Sequence, residues 1–190
     1  MLLVSILATL SLAGAPSHAL TSTQATTADT PCDVRPEVVP VAERQSPIDS
    51  LNFSVGGKTV KVCYGRPSAR GRTMIGGKNV PYGNLWRTGA NEPTMIHTPV
   101  ALTIAGLKVP PGTYSLYSVP GASEWTIIVN RSTKQWGEEH GYTPEVKAQE
   151  IGRATVKSEA MTSPIETFTI RAEPSGDAAS LVLEWGKTRG

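Results

Sequence analysis

The sequence is poor in charge, in histidine and in long apolar runs. Only 18% of its 190 residues are charged, and 18 basic against 16 acidic side chains leave a formal charge of +2. That balance is too slight for a nucleic-acid binder selected on net charge, so no nucleic-acid partner is expected. There are three histidines, of which His18 falls in the leader described below, and the remaining two, His97 and His140, exclude a multi-histidine zinc site. A Glu92, His97, His140 set fits no familiar ligand spacing, so neither a metal nor a cofactor is expected. No apolar stretch reaches the ~20 residues that a membrane-crossing helix needs. Helical periodicity is nearly absent too, and 18 Gly with 15 Pro punctuate the chain, which argues against a helical bundle or coiled coil.

Leu2 to Ala13 is apolar but too short to span a bilayer, and Ser17-His18-Ala19 places small residues where a signal peptidase reads. Residues 1–19 are therefore expected to be a signal peptide cleaved after Ala19, although no Lys or Arg precedes the run. The product is expected in the periplasm or secreted. Residues 20–50 are expected to form a flexible tether followed by a Pro-rich segment, and 51–190 a single domain. Cys32 and Cys63 would then sit in an oxidising compartment, where a disulfide is favoured over two separate buried thiols.

Period-2 alternation recurs between turn signals: Lys58 to Tyr64, Val100 to Ile104, Thr113 to Val119, Trp125 to Val129, Glu166 to Ala172 and Leu181 to Trp185, with Arg153 to Ala160 as a further candidate. Only Pro144 to Gln149 reads as a short helix. Many short strands with frequent turns predict an all-β, antiparallel β-sandwich, jelly-roll-like, with one long ordered loop.

That loop is Arg66 to Pro99, whose non-alternating sequence carries five Gly and four Pro. Residues 50–123 hold eight bases and one acid, Glu92. The bases either face an anionic ligand or pair with the acid-rich C-terminal third. Within the loop, Arg87-Thr88-Gly89-Ala90-Asn91-Glu92 suits a turn that folds Arg87 back on Glu92. Such a pair is a staple for the loop or part of a ligand cleft. In the second case Trp86 and Tyr82 stack a sugar ring or peptide, Arg87, Asn91 and Glu92 supply directional hydrogen bonds, and Arg66, Arg72 and His97 complete the candidate set.

The runs YGRPSARGRTMIGG, VPYGNLWRTGANEPT, PPGTYSLYSVPG and WTIIVNRSTKQWG resemble an exported bacterial family, domain of unknown function family 2911, from roughly Val55 to Trp185. The resemblance implies an exported β-rich domain and no established activity. Residues and resemblance together suggest a non-catalytic binding or envelope-associated module for a carbohydrate, cell-wall polymer or other anionic or polar envelope ligand. Two alternatives stay open: a small hydrolase using Glu92 and His97, and a purely structural envelope protein.

Overall fold

A computed structural model describes residues 30–190. The expected leader, its expected cleavage site and the Thr-rich stretch up to residue 29 lie outside the described residues. The order of strands is β1 (Ile48–Val55), β2 (Lys58–Gly65), β3 (Thr94–Thr98), β4 (Leu102–Ile104), β5 (Leu107–Val109), β6 (Gly112–Pro120), β7 (Glu124–Asn130), β8 (Glu150–Lys157), β9 (Glu159–Ser175) and β10 (Ala178–Arg189). A single turn of helix, α1 (Pro144–Lys147), is opened by Thr143, whose hydroxyl accepts the Val146 amide, and by proline at its first position.

Six strands form one antiparallel sheet in the order β1-β2-β3-β6-β7-β8, while β4 pairs only with β5 and β9 only with β10. Spatial order therefore follows chain order, apart from the β4–β5 excursion. This is a meander, and it corrects the jelly-roll-like expectation, which requires two Greek keys. The second layer is correspondingly not a second multi-stranded sheet but the long β9–β10 hairpin. The all-β antiparallel character holds. Between β1 and β2, Gly56 and Gly57 at φ 54° and 71° supply the positive angles of a tight two-residue hairpin turn.

The register assigns every side chain to a face. Leu51, Val62, Ile96, Leu116, Val129 and Trp125 share one face, with Leu51 opposite Val62, Val62 opposite Ile96, and Leu116 opposite Val129. Phe168 and Trp185 of the long hairpin pack here, together with Trp86 from the loop after β2. The other face carries Cys63, Met95, Ser115 and Asn130, opposite one another in turn. It is covered by residues 32–47 and by the connection 131–149. Cys32 is bonded to Cys63 at 2.03 Å, so the expected disulfide forms and fastens the N-terminal segment across this face. The segment expected to be tether and Pro-rich linker up to residue 50 thus includes a docked strap, and its last residues already belong to β1.

The long loop is shorter than its sequence suggests. Its expected end, Thr94–Thr98, is β3, and all five residues are buried. A strand covered on both faces has no polar alternation, which hid it in the sequence.

Candidate functional site

Trp86 enters the sheet itself. Its amide donates to the Ser118 carbonyl at 2.7 Å, and the Ser118 amide returns the bond at 2.9 Å. The loop thereby takes the lane beside β6 that β3 does not reach. The indole is 7% exposed, stacks on Trp185 at 5.8 Å and donates to the Gly89 carbonyl at 3.0 Å. It cannot also be a ligand platform, which corrects that expectation.

Two residues on, Thr88 adopts φ 54°, a rare angle for a β-branched residue. Its hydroxyl donates to Ser118 Oγ at 3.0 Å and its carbonyl accepts from Thr94 Oγ1 at 2.6 Å. Asn91 also has a positive φ of 64°. Between these two turns the chain brings the Asn91 carbonyl to Arg87, whose Nη1 donates to it at 2.9 Å. The Asn91 side chain donates to the Ser46 carbonyl of the strap at 3.0 Å.

Glu92 is not paired with Arg87. Its carboxylate is gripped by Arg44, with Nη1 on Oε2 and Nη2 on Oε1, both at 2.8 Å, and Oε1 also accepts the Arg35 backbone amide at 2.6 Å. Side-chain exposure is 1% for Arg44 and 3% for Glu92, so the pair is sealed from water. The correction has a local cause: the turn at Asn91 directs the Arg87 guanidinium onto a carbonyl and sends the next side chain toward the strap. Arg87 keeps only a distant carboxylate, Glu138 at 3.9 Å, and burial holds its pKa below the ordinary arginine range.

The remaining candidates are scattered. His97 Nδ1 lies 3.0 Å from Thr113 Oγ1, and its buried Nε2 has no hydrogen-bond partner, so no Glu92–His97 dyad exists. Burial and Lys61 push the imidazole pKa down. Arg66 ties β9 to β1 through the Phe168 carbonyl, Thr169 Oγ1 and Asp49 Oδ2. Arg72 closes its own turn on the Ser68 and Ala69 carbonyls. Tyr82 alone stands out, 49% exposed, with its ring lying over Gly76, where a Cβ would fall 2.5 Å from ring carbon. Arg87, Asn91 and Glu92 therefore share the strap-covered face, Trp86 is in the apolar core, and Tyr82 and Arg72 lie on the outer side of the loop.

Sequence reasoning missed Arg35 and Arg44, which lie in the segment assigned to tether and linker. Two signals pointed to them: the Pro-restrained backbone around them, and a lone acid that needed a partner. It also missed a cavity of about 520 Å³ between the apolar face of the sheet, the small β4–β5 hairpin and the long β9–β10 hairpin. Phe53 and Val55 of β1, Leu102 and Ile104 of β4, and Leu181 and Leu183 of β10 form much of its wall. No lining side chain is charged. The Thr88, Thr103 and Tyr117 hydroxyls of the wall are engaged within the protein, so most of the cavity offers contact area, with Ser180 as a further hydroxyl in the wall.

Among the described residues no helix is long and apolar enough to cross a membrane. No curated protein and no solved structure matches the chain. A family model does match, over residues 46–190, most of the sequence and all ten strands. With that match, the chain belongs to the family described as protein of unknown function DUF2911, an all-β domain of unknown function.

Proposed function

We propose that this protein is an exported, non-catalytic binding module of the bacterial envelope, and that its ligand sits in the cavity between the sheet and the hairpins. The cavity carries the reading. Close-packed cores leave few voids larger than a water molecule, whereas about 520 Å³ lies within the range of roughly 300–1,000 Å³ typical of small-molecule sites. The polar groups support it from the other side: Glu92 is held by Arg44 and by an amide, and His97 is not in contact with it. An acid–base pair of the kind a hydrolase needs is not assembled there.

The test is to purify the protein from exporting cells and examine it by native mass spectrometry. A bound small molecule is expected, and it should be absent from an Ala179→Phe variant, which fills the cavity. Wild-type protein that emerges empty, and whose melting temperature no compound in a broad metabolite panel raises, would refute the reading.

The exposed Tyr82 ring favours a second reading, a glycan or cell-wall polymer bound on the outer side of the loop. Packing on Gly76 holds the ring at the surface, as a stacking platform requires. Tyr82→Ala should abolish retention on cell-wall fragments if that surface binds, and leave the cavity ligand in place.

A further inference from the structure

The shape and chemistry of the cavity narrow its ligand. Its wall is largely apolar: Phe53 and Val55 share a face with Val60 and Val62, and Leu181 and Leu183 line it from the long hairpin. The hydroxyl of Thr88 is engaged within the protein, and Thr103 Oγ1 accepts from Lys108 Nζ at 3.0 Å. A ligand rich in internal polar groups would lose its water there with few replacement partners, which disfavours it. A hydrocarbon loses nothing, and each buried methylene is favourable.

The volume sets a length. A methylene takes about as much room as a water molecule, ~30 Å³ in the liquid, so about 520 Å³ accommodates on the order of fifteen chain carbons. Two such chains do not fit. The lining includes Ala105 in the β4–β5 turn and Ala178 at the start of β10, and Lys58, opposite the lining residue Val55 in the register, stands on the same face of the sheet. A polar or anionic head would rest there in water.

The chain's own apolar run competes poorly for the site. It lies at residues 2–13, in the leader expected to be cleaved, so on that expectation the exported protein lacks it.

We infer that the cavity between the sheet, β4–β5 and β9–β10 takes the single long hydrocarbon chain of an amphiphile, with its head group left at the rim beside Lys58. The inference rests on the cavity being the ligand seat, and it adds the class of ligand. Free fatty acids and lysophospholipids share this chemistry, and two-chain lipids do not.

The experiment uses the mature protein beginning at Leu20, stripped of bound molecules, and titrates it below micelle concentrations with saturated fatty acids of increasing length. Calorimetry and tryptophan fluorescence read binding, since Trp125 lies against Gly190 in the cavity wall. One chain per protein is expected, each added methylene tightening binding about fourfold until a plateau near fifteen carbons. Ala179→Phe should weaken the longest chains by at least a hundredfold. Ile104→Ala, which enlarges the cavity, should move the plateau to longer chains and keeps the test decisive if the filled variant fails to fold. A palmitoyl lysophospholipid arm separates the two sources: binding equal to palmitate means that the head is unread, and weaker binding means that a small carboxylate is preferred. Affinity that rises with length without a plateau, or that ignores both variants, overturns the inference as surface partitioning. If no chain binds while native protein carries another small molecule that Ala179→Phe excludes, the chain inference fails and the binding module stands.

Discussion

On one face of the six-stranded sheet, Trp86, Phe168 and Trp185 close over Val62, Ile96 and Trp125. On the other, Arg44 reaches Glu92 across 48 residues of chain, and Arg35 reaches the Thr133 carbonyl across 98. The first face coheres through apolar area, which is tolerant of geometry and leaves room for a cavity. The second coheres through buried polar groups, most of them paired at bonding distance, with His97 Nε2 and Arg35 Nη1 as exceptions. The cavity accordingly lies on the first face, backed by the polar contacts of the second.

Breaking the polar face at its centre should have the largest effect. Glu92→Gln leaves Arg44 buried without a countercharge and should cost about 3–5 kcal/mol, read as a melting temperature lowered by roughly ten degrees or more. Replacing both Glu92 and Arg44 with methionine should recover most of that loss, because an apolar pair carries no desolvation debt. A double variant as unstable as Glu92→Gln would show that the ion pair is not the reason. On the apolar face, Phe168→Ala should lower stability by about 3–5 kcal/mol through a new void, without altering the response of the strap to reduction.

Reducing the Cys32–Cys63 bridge opens a loop of 31 residues and should remove about 3–4 kcal/mol on the chain-entropy account. It should also make Glu92→Gln less costly, since the strap that delivers Arg35 and Arg44 is then untethered. Strict additivity of the two changes in denaturant titrations would separate the bridge from the ion pair. A smaller effect of opposite sign is expected at the cavity rim. Ala105 sits at φ 46° in the β4–β5 turn, where residues with a side chain are strained. Ala105→Gly should stabilise the protein by about 1 kcal/mol at most, and a loss of stability would mean that the Ala105 methyl packs usefully.

The smallest effect is a slope in pH. Burial holds His97 below its ordinary pKa of 6.5, so the unfolded chain takes up that proton more readily than the folded one. Stability is unaffected above about pH 6.5 and falls as the pH drops from there toward the lower folded value. His97→Gln should flatten that part of the profile.

The difference between the faces also explains what could be read from the chain. Val60, Val62 and Tyr64, or Trp125, Ile127 and Val129, advertise a half-buried strand by alternation alone. β3 does not, because Met95 and His97 are as buried as Thr94 and Ile96. The Arg44–Glu92 pair left no local trace, since neither residue has its partner within a turn or a hairpin. Arg87 and Glu92 looked paired because proximity in sequence is the only distance a sequence displays, and two positive-φ residues undo it. The cavity was illegible for another reason: it is bounded by β1, β4, β8 and β10, which meet only in the finished fold.

The strap carries a consequence for the order of events as the chain is made. Residues 32–47 are made before the strands, yet what they lie on arrives much later: Glu92 lies some 50 residues on, and the carbonyls of Thr133 and Lys134 that receive Arg35 lie nearly 100 on. The earliest part of the domain is thus among the last to settle. Through most of synthesis its two arginines stay in water, while its cysteine can already meet Cys63. Oxidation at that stage holds the strap near its destination and shortens the search that remains, so that the slow long-range step becomes a local one.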